Sequence, residues 1–179
     1  MHPHHGFTLY ELVLVVALAA VFTVVAFPDL RPSQDAKLDL AAAQVADAIR
    51  FAHDEAIRTG NPTYVEIDQN TERLLIAEAD LSGATVVAGT TLRHPIDMKR
   101  LDIIVSSAAV TAGVEFTNDP FDYPSGGRQP SVLFDGQGLP FRKAGGSNQL
   151  LTVGDIELAL GDMQRTVFVA PFTGRVTIQ

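Results

Sequence analysis

Glu11 lies inside the one membrane-length apolar run of this chain, which extends from Phe7 to Phe27. A charged side chain at the centre of a bilayer costs roughly 2.5–3.5 kcal/mol on insertion scales. A carboxylate placed there needs a partner or a function, and ion pairing is the chemistry open to it. Glu11 also stands five residues after Gly6, which closes the short polar leader Met1-His2-Pro3-His4-His5. The other candidates are weaker. His53, Asp54 and Glu55 offer metal-ligating and acid–base groups. Adjacent helical residues point about 100° apart and cannot converge on one atom, whereas a metal-binding helix uses i, i+4 spacing. The plainer reading of the three is a solvated helix face. His94 precedes Pro95 with no partner visible in the sequence, and His2, His4 and His5 could chelate a metal but stand in the leader. Asp119 and Asp122 carry oxygens of the kind calcium favours, in a stretch that also reads as a plain loop. Gly83, Gly126-Gly127 and Gly145-Gly146 lie outside any strand-to-helix phosphate-binding context. The expectation is no catalytic residue, no metal and no cofactor.

Composition bounds the classes that remain. A chain of 179 residues is simplest as one domain plus an anchor, and a hydrophobic fraction of 46% suffices for a core. Without cysteine there is neither a disulfide framework nor a thiolate metal site. The net charge of −8 repels polyanions on average, so no general affinity for nucleic acid or anionic lipid is expected. The apolar run would reach about 31 Å as a helix at ~1.5 Å per residue, close to a bilayer core of roughly 30 Å. A cleaved signal peptide would need a basic n-region and a small-residue cleavage site. The leader has no Lys or Arg, and Pro28-Asp29-Leu30-Arg31 follows the run, so the segment is expected to be retained.

The elements that must position these residues form an α+β plan. Beyond Pro28 and Pro32, Ser33 suits a helix N-cap and Asp35 the positive end of the helix dipole. Leu38, Ala42, Val45, Ile49, Ala52 and Ala56 form an apolar seam, with Lys37, Asp47, Arg50, Asp54 and Arg58 on the remaining surface. Gly60 and Pro62 end the helix. The seam predicts packing against a sheet in preference to a coiled coil. Strands are expected at 63–67, 72–79, 101–105, 114–117 and 131–134, then in hairpins at 156–160, 166–169 and 175–178. Residues 118–130, rich in Pro, Gly and Asp, read as a long surface loop. A long N-terminal helix, half apolar and half amphipathic, followed by a meander and packed on an antiparallel sheet domain is the fold class.

Gly6-Phe7-Thr8-Leu9-Tyr10-Glu11-Leu12 resembles the class III signal of type IV pilins and type II secretion pseudopilins. The resemblance implies a leader over 1–6, cleavage by a prepilin peptidase between Gly6 and Phe7, and N-methylation of Phe7. It also implies a filament-core helix over 7–32 with a kink at Pro28, an assembly role for Glu11 as fifth residue of the mature chain, and a periplasmic domain over 33–179. Within that superfamily the chain resembles the GspH/FimT group in three further places: 52–60 at the helix end, Phe134-Asp135-Gly136-Gln137-Gly138-Leu139-Pro140, and Thr173-Gly174-Arg175-Val176-Thr177. The leader departs from the pattern, with histidines where Lys or Arg usually stands. The N-inside orientation rests on the resemblance, because Arg31 and Lys37 follow the run and would favour the opposite topology.

The function this implies is structural: a minor pseudopilin of a type II secretion pseudopilus, single-pass in the inner membrane, whose partners are other pseudopilins. The first alternative is a FimT-like minor pilin acting in DNA uptake or pilus assembly. The second is a membrane-anchored ligand-binding or enzymatic domain. FimT-like pilins that bind DNA resemble one another in a Gly-Arg-x-Arg element. Here Gly174-Arg175-Val176-Thr177 keeps one arginine, so Arg175 is a weak candidate for a DNA contact, with Arg165 its possible neighbour on the preceding strand.

Overall fold

The computed structural model describes residues 8–26, 33–81, 87–94 and 98–179. Gly6, Phe7, Pro28 and the leader histidines lie outside the described residues. The chain divides into two compact units, Met1–Pro32 and Ser33–Gln179. In the first, α1 spans Leu9–Ala26, and its side chains from Leu9 to Ala20 are exposed. Among the described residues no helix is long and apolar enough to cross a membrane. The 18 residues of α1 would rise about 27 Å at ~1.5 Å per residue.

The second unit opens with α2, Gln34–Thr59, whose ends are where the local chemistry puts them. The Ser33 hydroxyl accepts the Ala36 N–H at 3.2 Å. Gly60 adopts φ +73° and donates its N–H to the Ala56 carbonyl at 2.9 Å. The whole expected seam is fully buried, and Ala41, Ala46 and Ala48 widen it. Leu38, Val45 and Ile49 each contribute about 1.5–3 kcal/mol by burial. The alanines favour the helix and let its backbone approach the strands closely.

Two antiparallel sheets receive that seam. The first runs β10–β9–β8–β1–β2–β3, built from β1 (Thr63–Asp68), β2 (Arg73–Asp80), β3 (Val87–Thr91), β8 (Ser131–Phe134), β9 (Pro140–Ala144) and β10 (Ser147–Leu150); β4 (Asp102–Ile104) also pairs with β2. The second runs β13–β12–β11–β6–β7, built from β6 (Phe121–Tyr123), β7 (Gly127–Gln129), β11 (Val153–Leu160), β12 (Met163–Val169) and β13 (Val176–Ile178); β5 (Glu115–Phe116) also pairs with β11. α2 contacts β1, β2 and β8 of the first sheet and β11, β12 and β13 of the second. Both sheets contribute to one core with the helix seam, through Ile67, Leu74, Ile76 and Phe134 on one side and Ile156, Leu158 and Val167 on the other.

Three expectations are corrected. Residues 118–130 are not a surface loop: they hold the β6–β7 hairpin, with Phe121 fully buried and Tyr123 nearly so. The prolines at 120 and 124 flank a three-residue strand whose aromatics alternate across Asp122, and Pro is tolerated at a strand's margin. The stretch expected as strand to Val105 turns into a short 3-10 helix at Val105–Ser107. The strands do not form one meander, since β1 pairs with β8 as well as with β2.

Candidate functional site

The head of α1 is a reciprocal cap. The Glu11 Oε2 accepts the Thr8 N–H at 3.0 Å and the Thr8 hydroxyl at 3.1 Å. The Thr8 Oγ1 accepts the Glu11 N–H at 3.3 Å. This is a Thr-x-x-Glu capping box, which satisfies two N–H groups that the first turn of a helix leaves open. Glu11 therefore does local work in addition to any intermolecular pairing, and its Oε1 accepts no hydrogen bond among the described residues. The signal was present in the sequence as Thr8 three residues before Glu11, ahead of an apolar run.

A second constellation lies where α2 meets the C-terminal turn, and His53 is its hub. The ring is mostly buried, with 18% of its side chain exposed, so the reading of a solvated helix face fails for this residue. Its Nε2 lies 3.1 Å from the Thr173 carbonyl oxygen and its Nδ1 3.0 Å from Asp54 Oδ1. Its edge meets the Phe134 ring with centroids 5.5 Å apart. Two glycines make room for it. A Cβ on Gly138 would lie 2.5 Å from His53 Nε2, and one on Gly174 would lie 2.5 Å from both His53 Cδ2 and the Gly138 carbonyl oxygen. Gly136 packs on Gly60, where a Cβ would sit 2.9 Å from the carbonyl oxygen. The helix end, the strand-then-glycine turn and the C-terminal turn, far apart in sequence, thus close on one histidine. Arg50 completes the junction by donating to the Val176 carbonyl at 3.1 Å and pairing with Asp47 at 2.7 Å. Only the glycine spacing hinted at this in the sequence.

The remaining candidates are dispersed. Glu55 turns from His53 to Arg58, which holds its carboxyl below the usual carboxylate range by hydrogen bonding. His94 stacks obliquely on Phe51 at 6.3 Å. Asp119 accepts from the Gln69 amide at 2.9 Å, while Asp122 sits in β6 opposite Arg128. Among the described residues no group of three or more His, Cys, Asp or Glu could hold a metal ion. Arg175 is exposed just before the last strand, and its side chain has no partner among the described residues. Arg165 does not join it. The Ala170–Arg175 pairing puts Arg165 five residues further along β12, about 17 Å away at ~3.4 Å per residue. Arg165 is instead clamped by Asp35 at 2.6 Å and Asp39 at 2.7 Å.

A capped apolar helix in one unit, and in the other an amphipathic helix laid on antiparallel sheets, make a pilin-like α+β fold. The sequence profile described as Type II transport protein GspH matches residues 41–171, and the chain belongs to that family. It is a minor pseudopilin or minor pilin. Among solved structures, the chain is similar to the type IV minor pilin FimU of Pseudomonas aeruginosa PAO1. The identity is 14%, over 79% of this chain and 87% of that one, with a TM-score of 0.48. It is also similar to the minor pseudopilin EpsH from the type 2 secretion system of Vibrio cholerae, at 15% identity over 80% of this chain and 94% of that one, with a TM-score of 0.46. Comparison with curated proteins gave no match.

Proposed function

We propose that this chain is a minor pseudopilin of a type II secretion pseudopilus, a structural subunit and not an enzyme. The family match over 41–171 carries the reading. The prepilin peptidase cuts between Gly6 and Phe7, Phe7 is N-methylated, and the helix over 7–32, kinked at Pro28, anchors the subunit in the inner membrane with residues 33–179 in the periplasm. The exposed apolar side chains of α1 support that placement, since contiguous apolar surface is stable only against lipid or another helix. In the filament, the Phe7 amine of one subunit neutralises Glu11 of a neighbour, converting a costly intramembrane charge into a register device. The Oε1 of Glu11, which accepts no hydrogen bond among the described residues, is the atom available for it.

Co-isolation with pseudopili from a host carrying the secretion apparatus tests the reading. Intact mass should give a chain beginning at methylated Phe7. Glu11→Ala and Glu11→Val should insert but fail to incorporate. Glu11→Gln discriminates the two roles, because glutamine also serves a capping box but carries no charge. Gln behaving like Ala supports docking by charge, whereas Gln restoring incorporation would reduce Glu11 to a helix cap.

A further inference from the structure

We propose that the cleft where β8 and β9 part company is a carboxylate-binding site centred on Arg142. β8 and β9 are paired only at Leu133–Phe141 and Phe134–Pro140. Beyond that the strands separate, and a cavity of about 260 Å³ opens, lined in part by Tyr64, Gln129, Ser131, Arg142 and Lys143. Tyr123 contacts two of the residues that line it. Its hydroxyl donates to the Ser131 carbonyl at 3.0 Å, and the Arg142 guanidinium lies over its face at 5.2 Å. Gly126 permits that placement, because a Cβ there would lie 2.9 Å from Arg142 Nη2.

The guanidinium is held in place but chemically unspent. In this acidic chain Arg50, Arg58, Arg73, Arg128 and Arg165 each hold a carboxylate. Among the described half-buried arginines, Arg50, Arg73 and Arg165 all donate hydrogen bonds, and Arg142 donates none. A guanidinium has five N–H donors in a planar fork, and stacking on an aromatic face uses none of them. Lys143 adds a second cation at the same cleft, and among the described residues it bonds only to the Leu81 carbonyl at 3.3 Å. Glu66 acts on the Tyr64 hydroxyl, and among the described residues no ion pair joins it to Arg142. A flat acceptor that takes two parallel N–H bonds is a carboxylate, and the fork–fork geometry is the strong form of that interaction. The carboxylate is carried by a small acid or by an acidic side chain of an assembly partner.

Calorimetric titration of the full chain in non-ionic detergent separates these sources, with succinate, a capped tetraglutamate peptide and inorganic phosphate as probes. Succinate and peptide both binding saturably, or succinate alone, supports a free acid; peptide alone supports a protein-borne one. In either case Arg142→Gln should weaken binding about tenfold or more, Arg142→Lys should fall between, and exposed Arg100→Gln should change nothing. Lys143→Gln should weaken it a few-fold, and it keeps the test open if Arg142→Gln unfolds. Phosphate binding without either carboxylate, no saturable binding at all, or equal binding by wild type and a folded Arg142→Gln would overturn the proposal.

Discussion

Replacing Gly174 by alanine tests whether the junction on His53 holds the domain together. Gly174 is buried, at φ +63°, and its missing side chain leaves space that His53 and the Gly138 carbonyl occupy. Alanine there meets two penalties. The left-handed backbone costs about 1–2 kcal/mol for a residue with a Cβ. Forcing a methyl within 2.5 Å of a backbone oxygen and a ring carbon adds overpacking, about 1–3 kcal/mol, because neither neighbour is the loose end of a flexible chain. Gly161 supplies the control: its φ is +62° and no atom lies within 4 Å of its would-be Cβ, so Gly161→Ala carries only the backbone cost. The difference between the two variants isolates the packing. At roughly 2–4 °C per kcal/mol for a domain of this size, Gly174→Ala should melt about 2–12 °C below Gly161→Ala. Thermal unfolding followed by circular dichroism reads this directly. Melting points within about 1 °C of each other would mean that the turn yields freely and that His53 organises nothing.

Four other outcomes are expected. Removing residues 1–32 should leave a soluble fragment with one cooperative transition, whereas truncation past Ala56 should abolish that transition; a sharp melt in the shorter fragment would show that the α2 seam is not core. Arg73 holds the Asp102 carboxyl below its ordinary value of 3.8 by hydrogen bonding, so the pair stabilises above that pH and the benefit is lost as pH falls through the lowered value. Wild type should therefore exceed Asp102→Asn in urea melts at pH 7, with the gap closing well below pH 3.8, and a gap independent of pH would refute the linkage. Arg165→Met should lower the melting temperature at low salt, and high salt should shrink the difference, because both of its ion pairs with α2 are solvent-accessible. Duplex DNA should bind weakly or not at all near physiological salt in fluorescence anisotropy. Micromolar binding that falls with salt and vanishes in Arg175→Ala would favour the DNA-capturing pilin over the secretion pseudopilin.

What could be read from residues alone divides by the range of the forces involved. The bounds of α2 follow from Ser33 and Gly60, whose effects are complete within one turn, and its seam follows from helical spacing. The terminal hairpins were legible for the same reason, since Gly161-Asp162 and the 171–174 turn pair strands that are neighbours in sequence. The partnership of β1 with β8 was not, because nothing local in Thr63-Tyr64-Val65-Glu66 selects Ser131-Val132-Leu133-Phe134 over another strand. β9 and β10 escaped because Arg142, Lys143, Ser147, Asn148 and Gln149 give a polar pattern that only the pairing makes a hairpin.

The functional residues divide in the same way. The Thr8–Glu11 cap is local and could have been read from spacing. The role of His53 depends on backbone brought in from residues 138 and 174, so its neighbours in sequence, Asp54 and Glu55, suggest an acidic solvated face that the tertiary contacts contradict. This has a consequence for function. The three short segments by which the chain resembles the GspH/FimT group are individually unremarkable, yet they meet at one place, and two of them meet through glycine backbones that any side chain would separate. Such a junction fixes the last β-hairpin on α2 and so sets the shape of the surface that the domain offers. The part of the resemblance lying in residues 33–179 is thus accounted for by packing around His53, as expected of a subunit whose activity is to fit its neighbours.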